Sequence, residues 1–421
     1  MFTKLKKALT ENWKAGNTFV PFLDEAGNEL TEEDIYFTTE EKIEDEEKWL
    51  TVDTPGVFPL FDEAGNFPIA LRTEEGEIAY LKVSGKSQEV LPIHAGCCPM
   101  LRIIFVGAPQ AGKTVHFLQL CDSDFHDMLA RKTTCSFADD LPSSLGEREL
   151  YEKARSKFKN DHTVPEPTRK NSAIIPYYFY TQYANAGKTK RMLLKLDDID
   201  GETCTELEWE SKVFQSNIFM IAIGADELLE SGKGREMQYT KVLSQLLPRL
   251  RLLRPDKDYQ VLIMITKCDC LDLDNEFLQE AKENTIELKD GRLYQKVHEE
   301  GFDHEVFEKR STCIRTYIQN QFPNFYNRIV NTIPEDLIDF CMIASIGEEC
   351  EGDHFEQYNP MFIDEPILSI LSKEGYYPIK GEGPKVEEIP SAFDNFRETF
   401  HKSMEKFKDM VTIPETEEDE E

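Results

Sequence analysis

Apolar and polar positions divide the chain into regions of different periodicity. Residues 19–98 alternate over short stretches, as in GEIAYLKVS from Gly76, which predicts a small β-rich domain. From Leu101 onward, short apolar runs alternate with longer stretches of helical spacing, which predicts a doubly wound, mainly parallel α/β sheet over residues 99–380. Residues 381–421 predict an amphipathic helix from Ser391, followed by an acidic and disordered tail, PETEEDEE.

The apolar runs define the predicted elements of the larger domain. The predicted strands are 101–106, 173–180, 191–196, 217–224, 261–266 and 339–345. The stretches TVHFLQLC and MQYTKVLSQLLPRLRLL predict helices, and so does the long stretch from Phe307 to Ile333. The turn residues Asn185, Ala186 and Gly187 predict an antiparallel hairpin between the second and third strands.

The small N-terminal domain contains a local echo, PFLDEAGNEL from Pro21 and PLFDEAGNFP from Pro59. Gly27 and Gly65 can adopt positive φ, so each copy predicts a tight turn between strands. Docking, recognition and structural support remain alternative roles for this domain. Residues 1–18 predict a short helix packed on its own domain, with a weak membrane-surface helix as the alternative.

Composition limits the partners that we expect. A net charge of −32 repels nucleic acid and anionic lipid, so we expect neither as the main partner. The ten cysteines lack the spacing of a structural zinc site, so we expect no zinc and reduced thiols. No secretory signal and no apolar run near the roughly 20 residues of a membrane span are visible. These features predict a cytoplasmic protein without a membrane span.

The motif GAPQAGKT directly follows the first predicted strand and directly precedes a predicted helix. This context is typical of a P-loop, in which backbone amides and a helix N-terminus surround nucleotide phosphates. Lys113 is expected to reach the β- and γ-phosphates, and the Thr114 hydroxyl to hold Mg²⁺. The predicted phosphate-binding residues are Gly107, Ala108, Pro109, Gln110, Ala111, Gly112, Lys113, Thr114 and Val115. A second Gly-Lys-Thr, at 187–189, lacks the preceding glycine and lies in the predicted hairpin.

Two further motifs follow predicted strands. Asp198 and Gly201 fit the pattern DxxG, in which the carboxylate holds Mg²⁺ and the glycine amide contacts the γ-phosphate. Thr266, Lys267 and Asp269 fit the pattern [NT]KxD. A carboxylate accepts two hydrogen bonds from guanine, and adenine offers no such pair. The lysine stem can lie along the base, and Thr266 can brace the loop. This motif therefore favours GTP over ATP.

With these three motifs, residues 101–375 resemble a Ras-like P-loop GTPase of the TRAFAC class. The resemblance implies a switch that binds Mg²⁺·GTP or GDP and hydrolyses GTP slowly. It also implies a threonine that closes over Mg²⁺, for which Thr168 is our choice, and a second base loop at Ser345 and Ile346. Alternatives for the threonine are Thr163, Thr133 and Thr134.

One position departs from the Ras-like pattern. Glu202 stands where such enzymes commonly carry a water-positioning glutamine. A glutamate can orient water, but it adds negative charge beside the γ-phosphate unless a cation such as Arg169 compensates. The predicted catalytic set is therefore Lys113, Thr168, Gly201 and Glu202.

The closing segment DEPILSILSKEGYYP and the loosely matched base loop resemble the bacterial double-GTPase proteins. Such proteins often carry a cysteine-rich zinc module before the GTPase, but His94, Cys97 and Cys98 cannot make a four-ligand site.

Three functions fit the sequence, in this order of preference. The first is a GTPase switch with an unknown protein effector or activator. The second is a guanine-nucleotide-binding scaffold that does not hydrolyse GTP, and Glu202 separates it from the first. The third is an ATP-using P-loop protein, for which Asp269 would be incidental.

Overall fold

Three neighbouring strands, Met100–Gly107, Ile218–Gly224 and Gln260–Thr266, are apolar and buried along almost their whole length, so the sheet is covered on both faces there. The computed structural model describes residues 19–62, 66–120, 135–140, 146–165, 176–185, 188–199, 213, 215–230, 238–253, 259–272, 274–278, 280–282, 285–287, 293–295, 301–348, 350 and 352–381. Met1–Glu382 form one compact unit and Gly383–Glu421 a second, which lies outside the described residues. The predicted helix at 1–18 and the predicted C-terminal helix and tail also lie outside them.

The N-terminal part consists of short strands in small sheets with their own apolar cluster. The strands are β1 (Phe22–Leu23), β2 (Glu29–Leu30), β3 (Ile35–Thr38), β4 (Val57–Leu60), β5 (Ala70–Thr73), β6 (Ile78–Ala79), β7 (Leu81–Ser84) and β8 (Val90–Leu91). The predicted turn at Gly27 is confirmed, because β1 pairs antiparallel with β2 and this glycine has φ 85°. The single strand predicted in GEIAYLKVS is wrong: the chain changes partner at Tyr80, so β6 pairs with β5 and β7 with β3.

The central sheet has seven strands in the order β10-β11-β12-β9-β13-β14-β17. Their bounds are β9 (Met100–Gly107), β10 (Cys135–Asp139), β11 (Tyr177–Asn185), β12 (Lys188–Asp198), β13 (Ile218–Gly224), β14 (Gln260–Thr266) and β17 (Ile338–Met342). A separate short hairpin contains β15 (Thr285–Glu287) and β16 (Leu293–Gln295). Four neighbouring pairs, from β12 across β9 to β17, are parallel, while β10, β11 and β12 pair antiparallel. The hairpin predicted at 185–187 is confirmed by the pairing of Asn185 with Lys188.

Helices connect or flank these strands. They are α1 (Lys113–Leu120), α2 (Gly146–Asn160), α3 (Ala225–Glu230), α4 (Gln238–Leu253), α5 (His304–Gln321), α6 (Pro323–Val330) and α7 (Glu365–Lys373). The helical structure predicted from Phe307 to Ile333 is present as two helices, α5 and α6, rather than one continuous helix. Pro323 follows Phe322, and the residue before a proline is pushed out of the helical region, so the chain ends one helix and begins another.

Chain order and strand order together locate a crevice in the sheet. The chain enters the parallel part at β9, an interior strand, and β12 pairs with β9 on one side and β13 on the other. Ligands of open α/β sheets bind outside the carboxyl ends of the strands at such a reversal. The loop after β9 lies at this point.

A buried group of charges joins the N-terminal part to the sheet. The Lys195 ammonium, on β12, is fully buried and lies 2.7 Å from a Glu25 carboxylate oxygen and 2.9 Å from an Asp197 oxygen. The Tyr178 hydroxyl also donates to Glu25, at 2.7 Å. Asp197 directly precedes Asp198, so these contacts end one residue from a predicted Mg²⁺ ligand.

The residues near the predicted domain boundary have protein partners. The ring of His94 stacks on Tyr180 with centroids 4.0 Å apart, and its Nδ1 bonds to Asp140. The Sγ of Cys97 lies 3.7 Å from the Lys82 ammonium. The absence of structural zinc stays a prediction. Among the helices that the structure describes, none is long and apolar enough to cross a membrane.

Candidate nucleotide-binding site

The loop between β9 and α1 has a backbone that few side chains would permit. Gly112 has φ 76°, in the region that favours glycine. At Gly107 the limit is space, because a Cβ would lie 2.6 Å from the carbonyl oxygen of Ala222 on β13. Gln110 also has positive φ, 64°, a backbone conformation that non-glycine residues rarely adopt. These constraints explain why both glycines of the predicted P-loop are needed.

Three polar side chains meet where β9 and β12 end. Thr114 donates a hydrogen bond from Oγ1 to Asp198 Oδ2 at 2.8 Å. The Lys113 ammonium lies 4.0 Å from Asp198 Oδ1, and the lysine side chain is nearly buried. Because β12 and β9 are parallel neighbours in register at Asp198 and Phe105, their carboxyl ends bring these groups together. A hydroxyl beside a carboxylate is the oxygen donor set that Mg²⁺ prefers, so these residues fit that cation.

His116, two residues after Thr114, does not contribute a positive charge to this site. His116 is fully buried on α1, and its ring centroid lies 6.0 Å from that of Phe105. Burial lowers the pKa of its imidazole to about 3, so the ring is neutral at physiological pH. Among the residues that the structure describes around the P-loop, the positive charge is supplied by Lys113 and the N-terminus of α1.

Thr266 links the predicted base loop to the phosphate loop. Its hydroxyl, at the end of β14, donates to the carbonyl oxygen of Ala111 at 2.5 Å and lies 3.2 Å from that of Ile223. The hydrogen bond to Ala111 is consistent with the predicted role of Thr266 in bracing the loop. Since the partner is in the P-loop, the two loops hold each other's position.

Lys267 and Asp269 follow in a short turn. Lys267 has φ 53°, and its ammonium pairs with Asp226 Oδ2 at 2.6 Å. Asp269 is half-buried, and burial raises the pKa of its carboxyl above the ordinary value; Lys267 opposes this shift and Asp226 adds to it. Guanine N–H donors would stabilise the ionised form of such a carboxylate.

The second predicted base loop lies beside the first. Cys268 N–H donates to the Ile343 carbonyl at 3.0 Å, which joins the ends of the parallel neighbours β14 and β17. Ser345 and Ile346 follow, and their carbonyl oxygens accept hydrogen bonds from Gln119 Nε2 at 2.6 Å and from Asn359 N–H at 2.7 Å. The structure therefore places all these residues on one edge of the sheet.

Several predicted residues cannot be placed. Thr168, Gly201 and Glu202 lie outside the described residues, as do Arg169 and the alternative threonines at 133 and 134. Thr163 is described and pairs through its backbone with His354. The roles of all of them stay predictions.

Two residues that contact the predicted site, Asp226 and Gln119, were not predicted from the sequence. Asp226 is the second residue after β13, and a carboxylate following a buried strand was a signal that could have found it. Gln119 carries no such signal, because it reads as an ordinary polar position of α1. Its partner, Ser345, is far away in the sequence.

The fold and these loops define a P-loop nucleotide-binding protein. The family model of Double-GTPase 2 matches residues 102–323, more than half of the chain, so this protein belongs to the Double-GTPase 2 family. Membership of a GTPase family supports binding of a guanine nucleotide, and the predicted resemblance to double-GTPase proteins is confirmed.

Comparison with individual proteins adds little. No curated protein matches the chain. Among solved structures, the chain is similar to the GTPase-like domain of Ski7 from S. cerevisiae, bound to GTP, at 12% identity and a TM-score of 0.31. The match covers 66% of this chain and 50% of the Ski7 chain, so it spans about half the length of that structure. A likeness of this size carries no argument about function.

Proposed function

We propose that this protein binds Mg²⁺·GTP and hydrolyses it to GDP and phosphate as a nucleotide-dependent switch of the TRAFAC class. One observation carries the proposal. Lys113, Thr114 and Asp198 converge at the junction of β9 and β12, and Thr266 joins the loop that carries Asp269 to the same P-loop. The proposed phosphate-binding residues and the carboxylate proposed to select guanine are thereby connected through direct contacts.

The chemistry follows from the positions of these groups. P-loop amides and the Lys113 ammonium would bind the β- and γ-phosphates and take up the charge that develops as water attacks in line. Thr114 and Asp198 would hold Mg²⁺, which supplies further neutralisation of the phosphate oxygens when bound. Thr168, Gly201 and Glu202 would complete the γ-phosphate side, with Glu202 orienting the attacking water. Asp269 would accept two hydrogen bonds from guanine, and Ser345 and Ile346 would flank the base.

A second function is kept because of Glu202. A carboxylate near the γ-phosphate opposes negative charge in the transition state, which fits a scaffold that binds GTP without cutting it. In that case the N-terminal β-rich part, 19–98, would present a surface to a protein partner. Under the first function the same partner would be an effector or an activator.

Binding and phosphate release separate these functions in one set of samples. The purified protein is titrated with fluorescent GTP, GDP and ATP analogues in Mg²⁺, beside Asp269→Ala and Lys113→Ala. Asp274→Ala is the matched control, because it removes an exposed carboxylate from the same loop. We expect tight guanine binding that Asp269→Ala abolishes and Asp274→Ala retains.

Phosphate release is then measured from the same proteins with unlabelled GTP. Release by the unaltered protein that Lys113→Ala removes supports the GTPase. Guanine binding without release supports the scaffold or a missing activator. Equal competition by ATP would contradict both guanine-specific functions.

A further inference from the structure

The segment that follows the second base loop folds back on itself. Ala344 and Met361 exchange both backbone hydrogen bonds, at 3.0 and 2.8 Å, and closer to the tip Asn359 N–H donates to the Ile346 carbonyl at 2.7 Å. Gly347 has φ 84°, and the Asn359 carbonyl leaves no room for a Cβ there. We call the described residues of this segment, 344–348, 350 and 352–361, the base-side loop. These hydrogen bonds tie the end of the loop to the residues beside Ser345 and Ile346.

The base-side loop is hydrogen-bonded to α1, the helix that follows the P-loop. Gln119, buried on α1, donates from Nε2 to the Ser345 carbonyl at 2.6 Å and to the Tyr358 hydroxyl at 2.8 Å. Helix α1 begins at Lys113 and Thr114. Gln119 lies on the same helix as these two residues, so its hydrogen bonds connect the start of α1 with Ser345.

The tip of the loop is packed on the same helix and on the end of α2. Phe355, 2% exposed, forms a small apolar cluster with Val115 and Phe158, and its ring centroid lies 5.1 Å from that of Phe158. The ring of His162 stacks on Phe355 at 4.9 Å. Val115 directly follows Thr114, so this cluster contacts the first turn of α1.

Backbone pairing adds a second connection at the tip. Phe355 N–H donates to the His162 carbonyl at 3.0 Å, and Val164 N–H donates to the Asp353 carbonyl at 2.7 Å. Side-chain packing and main-chain bonds thus hold Phe355 from two directions. Phe355 is therefore the residue through which the loop contacts both α1 and the end of α2.

We propose that Phe355 is a positioning residue that couples recognition of the guanine base to binding of the γ-phosphate. This inference rests on the proposed function, because it assumes that GTP occupies the site. Lys113 and Thr114 respond to the γ-phosphate and Mg²⁺, Phe355 and Gln119 transmit the position of α1 to the base-side loop, and Ser345 and Ile346 lie next to the base. By linkage, the base must then affect the energy of γ-phosphate binding by the same factor.

Four nucleotides measure this coupling in the full-length protein. Inosine lacks the exocyclic amine that guanine offers to Asp269, so the ratio of ITP to GTP dissociation constants reports base recognition with a γ-phosphate. The ratio of IDP to GDP reports it without one. We expect the first ratio to exceed the second by about fivefold, at the low end of coupling between sites.

The variants separate positioning from general stability. Phe355→Ala is expected to make the two ratios equal, and Phe355→Leu to restore most of the difference. Phe37→Ala is the matched control, because it truncates a fully buried phenylalanine in the N-terminal cluster and should leave the difference unchanged. Should Phe355→Ala fail to fold, Gln119→Met removes both hydrogen bonds at similar volume and is expected to reduce the difference.

Three results would overturn the inference. The first is that the ITP-to-GTP and IDP-to-GDP ratios are equal in the unaltered protein. The second is that the difference between these ratios remains in both Phe355→Ala and Gln119→Met. The third is that Phe37→Ala removes this difference as fully as Phe355→Ala does. Tight guanine binding with equal ratios would refute only the coupling. Loss of guanine preference in the unaltered protein would refute the proposed function itself.

Discussion

Glu89 gives a test of the structure that needs no nucleotide. Its carboxylate accepts the Glu25 N–H at 2.8 Å and lies near the carboxylates of Glu25 and Asp24. Burial raises the pKa of the Glu89 carboxyl to about 7, the Glu25 N–H opposes this, and the two neighbouring carboxylates add to it. We predict that Glu89→Gln, which stays neutral and keeps the acceptor oxygen, changes how stability depends on pH.

The sign follows from proton linkage. A carboxyl whose pKa is raised on folding from 4.5 to about 7 binds its proton more tightly in the folded state. Its contribution is fully present below the unfolded value and is lost as pH rises towards the folded one. The full shift corresponds to about 3 kcal/mol, and partial exposure of the side chain reduces this to about 1–2 kcal/mol.

Urea unfolding followed by tryptophan fluorescence at pH 5 and pH 8 measures the effect. We expect Glu89→Gln and the unaltered protein to differ little at pH 5, and the variant to be more stable by about 1–2 kcal/mol at pH 8. Glu29→Gln, at an exposed position, corrects for the loss of one negative charge from the chain. A difference between Glu89→Gln and the unaltered protein that is the same at both pH values would refute the reasoning.

Three further substitutions test the site and its support. Thr266→Val leaves the Ala111 carbonyl without its hydroxyl partner, so we expect GTP and GDP affinity to fall about 5- to 100-fold, measured by fluorescence titration. Lys195→Met leaves the buried Asp197 carboxylate and the partly buried Glu25 carboxylate without their cation, so we expect the free energy of unfolding in urea to fall by about 3–5 kcal/mol. Gly107→Ala places a Cβ against the Ala222 carbonyl, and we expect loss of nucleotide binding with folded circular dichroism.

Local sequence was sufficient for the parts of the site that follow buried strands. The P-loop and the Thr266 motif each begin where an uninterrupted apolar run ends, so strand and motif support each other. Their placement on one sheet edge then follows from parallel pairing. Family membership and the geometry of Thr114 and Asp198 agree with that interpretation.

Other elements depend on contacts that sequence patterns do not contain. Strand β10, Cys135–Asp139, was not predicted, because an edge strand pairs on one side and needs no long apolar run. Helix α2 was not predicted either, since most of its residues are charged or polar and only Phe158 is buried among the side chains that the structure describes there. The bond from Gln119 to Ser345 joins residues separated by 226 positions, and no local rule predicts it.

The central proposal is that the Asp269 carboxylate selects guanine. The substitution Asp269→Asn, which replaces one carboxylate oxygen by an amide nitrogen, tests it most directly. Asp269→Asn replaces an acceptor by an amide that donates as well, which matches xanthine, whose C2 carbonyl replaces the guanine amine. We measure GTP and XTP affinity for both proteins in Mg²⁺. The account predicts that GTP binds more tightly to the unaltered protein and XTP to Asp269→Asn, while unchanged preference for GTP in the variant would contradict it.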